Sequence, residues 1–214
     1  MNMLALPIRI LLVATVLTLS ACSVLGAGQR DAVTLYSPQV EIAPDPAWPS
    51  VDWQLAVVTP TATRVVDSPR IAVRPVPGEI QVYKGVSWSQ PPTDMVESVL
   101  LEGFEDSGRI PGVARSGTGI GARYRLIMDL RRFEADYAGA SVPSAVIELN
   151  AKLLDVRDQR VVASRTFNQS RPAASTDVAQ VTQAFNQALQ QLAGEIIGWT
   201  LVSGQADAAR AAQD

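Results

Sequence analysis

The feature that most restricts the fold lies between Tyr124 and Phe167, where apolar residues return at every second position through three successive runs. In "YRLIMDL" the residues Tyr124, Leu126, Met128 and Leu130 share one parity, as a strand with one buried face requires. The parity then slips. Phe133, Ala135 and Tyr137 stand on the opposite phase, which predicts a β-bulge near Arg131 and Arg132. "SAVIELNAKLLDV" alternates again, with Ala145, Ile147, Leu149, Ala151 and Leu153 inward. "DQR" (158–160) is a tight connection, and "VVASRTFN" returns as the antiparallel partner with Val161, Ala163 and Phe167 on one parity. A long helix follows, with Ser175, Thr176 and Asp177 offering an N-cap. Its apolar stripe runs through Val178, Val181, Phe185, Leu189, Leu192, Ile196 and Trp199. The stripe stops there, and 204–214 reads as a frayed tail.

Upstream, the body begins at "WQLAVVTP" with a short strand ended by Pro60. Two more short strands, 70–74 and 79–84, flank "VPG" and predict a hairpin with a proline-glycine turn. A helix starts near "QPPTDMVESVLLEGFEDSG". Asp94 and Glu97 suggest a capping box, Val96, Val99, Leu100 and Phe104 lie on one face, and Gly108 ends it. Residues 22–52 are rich in Pro, Ala, Ser and Asp and read as an extended tether, leaving 53–203 as the body.

The first 21 residues carry Arg9, then the apolar run "ILLVATVLTL", then small residues before Cys22: the layout of an export signal. The run is about half the length needed to span a bilayer. "LSAC" (19–22) resembles the bacterial lipobox, in which the cysteine thiol receives a diacylglyceryl group and the chain is cut just before it. Two or three acyl chains give stable anchoring, and Ser23 after the cysteine implies passage to the outer membrane. Loss of residues 1–21 removes Arg9 and moves the formal charge from −3 to −4.

The chain has no histidine and a single cysteine. Ser-His-Asp and Cys-His catalysis are thereby excluded, and zinc loses its usual nitrogen and sulfur ligands. No metal site or cofactor is expected. The mildly acidic charge and lack of a basic run speak against nucleic acid. "GTGIGA" (117–122) satisfies a dinucleotide-binding pattern literally, but a strand follows it where a helix is needed, so it reads as a loop. Asp129, Glu134 and Asp136 read as solvated ion pairs with Arg131 and Arg132. "YKGVSWSQPP" is the most distinctive stretch of the body. Tyr83 and Trp88 within it suit core packing or a partner contact, and Trp199 near the end of its helix suits a neighbouring subunit or the membrane.

Several stretches then coincide in order: "LYSP" (35–38), "DSPRIAVRPVPGEIQVYKGVSWSQPP" (67–92), "DLRRFEADY" (129–137), "KLLDVRDQRVVASRTF" (152–167) and "AFNQALQQLAGEIIGW" (184–199). Together with the lipobox, the chain resembles the ABC-type transport auxiliary lipoproteins of the PqiC (YmbA) kind. The resemblance implies an α+β fold similar to the N-terminal domain of TolB: a mixed, largely antiparallel sheet with two main helices packed on it. It also implies a non-enzymatic subunit of an MCE-type lipid transport system, lipid-anchored (palmitate among the acyl groups) on the periplasmic face of the outer membrane. An MCE-domain protein is the implied partner, and a homo-oligomeric ring is compatible with the resemblance. Two other functions stand beside it: direct carriage of a lipid by the domain, and a hydrolase working through Asp129 and Glu134.

Overall fold

The structure, a computed structural model, describes residues 32–213; Cys22 and the signal segment lie outside them. The spine of the fold is β8 (Tyr124–Asp136), which pairs antiparallel with β9 (Ser144–Asp155), and β9 in turn with β10 (Arg160–Pro172). The predicted slip is present as a break in register between Leu130 and Arg132. It lets β8 keep Leu126, Met128 and Leu130 buried before the bulge and Phe133 and Ala135 buried after it. Ala145, Ile147, Leu149, Ala151 and Leu153 all face inward on β9, as their parity requires.

β10 departs from expectation at its start. A second break in register separates Val161 from Ala163, so Val161 is turned outward and 48% exposed, while Phe167 stays buried. One bulge per parity change is the shared physical rule; in β10 nothing in the apolar spacing reveals it.

The other edge of β8 carries three short parallel strands end to end: β2 (Leu55–Val57), β3 (Thr61–Ala62) and β4 (Ala72–Arg74). Short strands with prolines between them can follow a strongly curled neighbour where one long strand cannot. β5 (Gln81–Val82) pairs antiparallel with β4, and Glu79 N donates to the Val76 carbonyl across Pro77 and Gly78, whose φ is +84°. That is the predicted proline-glycine turn, and glycine supplies the positive φ. β7 (Val113–Arg115) extends the sheet beside β2, and the "GTGIGA" residues form the loop between β7 and β8.

Two helices pack on this curled mixed sheet, an α+β fold. α1 (Pro92–Ser107) begins with proline at its first turn and has no side-chain cap. The expected Asp94–Glu97 box is absent because Glu97 is buried instead, accepting from Thr59 Oγ1 at 3.0 Å and Arg115 Nε at 3.1 Å. Gly108 ends α1 in the left-handed conformation, as expected. α2 (Val178–Ala211) is capped by Asp177, whose carboxylate accepts from Ala179 N at 2.7 Å. Val181, Phe185, Leu189, Leu192 and Ile196 all lie in the core.

Two boundaries shift. α2 does not fray at Gly204 but continues to Ala211, because Asp207 is buried there, bound by Arg160 at 2.7 Å and by the Tyr124 hydroxyl at 3.0 Å. At the other end, the body starts before Trp53. β1 (Thr34–Tyr36) pairs in parallel with β6 (Val86–Trp88), and the residues after it lie against the helices.

Candidate functional site

The residues from Ile42 to Trp53, expected to belong largely to a tether, form a strap across the helices. Three of its side chains land on glycines. A Cβ on Gly103 of α1 would stand 2.7 Å from Ile42 Cδ1, one on Gly198 of α2 2.5 Å from Trp48 Nε1, and one on Gly204 2.5 Å from Trp53 Cζ2. These glycines are therefore notches: only hydrogen fits where each strap side chain lies. Backbone ties hold the strap between them. Gln190 Nε2 donates to the Glu41 carbonyl at 2.7 Å, Trp48 N to the Asp45 carbonyl at 3.0 Å, and Val51 N to the Arg109 carbonyl at 2.8 Å.

Between the strap and the outer face of α2 lies a cleft of about 680 Å³. Ile42 and Trp48 form the strap wall, while Trp199 and the 54% exposed Val202 form the helix wall. Trp199 is fixed edge-on against Phe167 at 5.6 Å, and the Arg165 guanidinium lies over the Phe167 ring at 4.7 Å. At the polar end, Glu195 accepts from Gln169 Nε2 at 2.7 Å and Gln191 Nε2 at 3.2 Å, with Arg165 Nη2 at 4.0 Å. Gly194 opens the middle of the wall: it sits inside a helix, and nothing lies within 4 Å of where its Cβ would be. A mid-helix glycine costs about 1 kcal/mol relative to alanine, and no packing within the described body requires this one. The cleft offers apolar contact and hydrogen bonding; its lining carries no hydroxyl, thiol or amine side chain. Among the described residues no group of three or more His, Cys, Asp or Glu is placed to hold a metal ion.

The predicted site residues separate in space. Cys22 is outside the described residues. Trp88 is 2% exposed and packs edge-on against Phe133 at 5.7 Å and Phe185 at 5.2 Å, so it has no surface to present to a partner. Tyr83 is half-buried, and burial, with the neighbouring Tyr137 adding to it, pushes its phenol up to about 12. Trp199 alone lines the cleft. The residues missed are Trp48, Gly194, Gly198, Arg165 and Glu195; the signal for the first was a tryptophan inside "APDPAW", out of place in a free tether.

The carboxylates are engaged elsewhere. Asp129 is exposed and paired with Arg131, as expected of a solvated pair. Glu134 is not solvated: it is 2% exposed and held by Arg74 through both oxygens at 2.9 and 3.1 Å, with Arg132 at 2.7 Å. Burial pushes the Asp155 carboxyl up, but hydrogen bonds from Arg157 and Arg123 outweigh it and leave it below the ordinary value. Asp207 behaves alike, with Arg160 and Tyr124 overcoming burial. Burial and the bond to Asp207 together raise the Tyr124 phenol far above its ordinary value.

A family profile described as an ABC-type transport auxiliary lipoprotein component matches residues 34–197, from β1 into the middle of α2. The chain belongs to that family. A solved structure of a Xanthomonas campestris protein assigned to the DUF330 family is similar at 58% identity and a TM-score of 0.81, over 83% of this chain and 99% of that one. A solved structure of an uncharacterized protein shares the fold at a TM-score of 0.60 and 12% identity, over 78% of this chain and 97% of that one. An uncharacterized protein of Bradyrhizobium diazoefficiens is 28% identical over 158 residues, which cover 74% of this chain. The match takes in 42% of that relative, so the chain spans about two-fifths of its length. The family is one of auxiliary lipoproteins of ABC-type transport, which gives the protein a membrane-anchored periplasmic setting.

Proposed function

We propose that this protein is a non-catalytic docking subunit of an MCE-type ABC lipid transport system, anchored through Cys22 to the periplasmic face of the outer membrane. The observation that carries the reading is the strap–α2 cleft, with two tryptophans, one guanidinium and an unfilled glycine gap on the surface of a transport auxiliary domain. Half-buried tryptophans flanked by polar groups are the anchors that partner surfaces favour. The occupant is a segment of the MCE-domain subunit. The commitment of Glu97, Glu134, Asp155 and Asp207 to arginine partners supports binding over acid–base chemistry. In particular, Asp129 and Glu134, the pair a hydrolase would need, lie on opposite sides of the β8 bulge with Glu134 locked between two guanidinium groups.

The test is co-purification from detergent extracts. The wild-type protein retains its MCE-domain partner, and Trp48→Ala with Trp199→Ala weakens capture by about tenfold or more, as removal of an anchor residue does. Undiminished capture by a folded double variant, or bound lipid in the isolated protein by native mass spectrometry with no partner retained, contradicts the reading.

A further inference from the structure

We propose that the β4–β5 hairpin is a lipid-contacting surface that sets the body against the bilayer. The inference rests on the lipid-anchor reading of Cys22. β5 pairs with β4 alone and is an edge strand. Such an edge normally carries charge or a cover to prevent unwanted pairing. Here it exposes aliphatic side chains: Ile80 is 42% exposed, Val82 42%, and Val76 at the turn 50%. Ile80 and Val82 are spaced by two, so they share one face of the extended chain, and exposed Lys84 follows in the turn after it. The register Ala72↔Val82 is continued by the bond from Tyr83 N to the Ile71 carbonyl at 3.0 Å, and the residues next to that pair, Arg70 and Lys84, are both exposed cations. Glu79 at the turn is the one exposed carboxylate of the tip and is bonded by Gln81; aliphatic residues there with two cations behind them still match a bilayer that carries anionic headgroups.

The position of the chain supplies the occupant. Thr34 N donates to the Gly85 carbonyl at 3.0 Å, so the polypeptide coming from Cys22 joins the body at the turn directly after Lys84. Leu35, the next residue, is 64% exposed. Eleven residues lie between Cys22 and Thr34, and the fully extended stretch reaches at most about 40 Å. A compact body of this size is itself about 40 Å across. The end bearing Thr34, Leu35 and the hairpin is therefore the end held nearest the lipid, at a high effective concentration. Burial of three aliphatic side chains from water then favours contact over hovering.

The acylated protein offers a direct test, because its only native thiol is expected to be consumed by lipid. Val82→Cys and, as a distant exposed control, Asp158→Cys are labelled with bimane and reconstituted into vesicles of phosphatidylethanolamine and phosphatidylglycerol, with and without brominated chains. Insertion of the tip to about 5–10 Å gives quenching about threefold stronger at position 82 than at 158. Flotation with the vesicles and equal quenching at both positions overturns the hairpin proposal while leaving the anchor reading intact. Failure to float, with Cys22 found unmodified by mass spectrometry, overturns both.

Discussion

Gly194 and Gly204 lie on the same helix, ten residues apart, and the same substitution should move stability in opposite directions. An alanine methyl at Gly204 would stand 2.5 Å from Trp53 Cζ2 and 2.9 Å from Cη2. Ordinary carbon contacts lie near 3.5–4.0 Å, so the indole must retreat by roughly 1 Å. It has nowhere to go: Trp53 is 4% exposed and the Tyr124 ring stands edge-on at 4.8 Å behind it. Overpacking a rigid core costs about 1–3 kcal/mol, here toward the upper end, and alanine's helix preference returns about 1 kcal/mol. The net effect of Gly204→Ala is a loss of about 1–2 kcal/mol. Gly194→Ala meets no atom within 4 Å and keeps the whole helix gain, so it stabilises by about 1 kcal/mol. Urea unfolding of the two purified variants should therefore separate them by about 2–3 kcal/mol, or several degrees in Tm. Equal stabilisation by both would refute the notch at Gly204 and the close seat of Trp53 in it. Gly194→Ala should also weaken partner capture while it stabilises the fold, since its methyl projects into the cleft.

Other outcomes follow from the ion pairs and phenols. Glu134→Ala leaves Arg74 and Arg132 without their shared carboxylate and should cost about 3 kcal/mol in urea unfolding; a loss within experimental error would show the clamp to be inert. Asp155 and Asp207 have lowered values in the fold, so their contribution is present above the ordinary carboxylate value of 3.8 and disappears as pH falls below it. Asp207→Asn should flatten that acid limb, measured as Tm between pH 5 and about pH 2. Tyr83 and Tyr124 have raised values, so the fold favours their neutral forms and should lose stability as pH climbs above 10 toward about 12; an ultraviolet titration in which every tyrosine ionises near 10 would contradict this.

Legibility in the sequence followed the apolar period. The β8 slip was visible because Leu130 and Phe133 are both large, apolar and of opposite parity. The β10 bulge was invisible because Val161 and Ala163 keep the same parity on either side of it, while Val162 between them is the residue that packs on the core. The last turns of α2 were lost for a related reason. What is buried there is Gly204 against an indole and Asp207 against Arg160, and neither residue type signals a core. The strap was lost because prolines and small residues in "EIAPDPAWPS" describe an extended backbone equally well in solvent or on a helix pair. Glycine spacing on α1 and α2 holds the missing half of that message, and no local pattern joins the two. Trp199 was legible as the last member of a stripe; the cleft around it depends on Trp48, about 150 residues earlier.

The central claim is that a transporter subunit docks in the cleft between the strap and α2. In-cell photocrosslinking from positions 199 and 202, with Lys152 on the exposed face of β9 as the reference, tests it most directly. The account predicts adducts containing an MCE-domain protein from Trp199 and Val202 and none from Lys152. Capture of that protein from Lys152, with nothing from the two cleft positions, would contradict it.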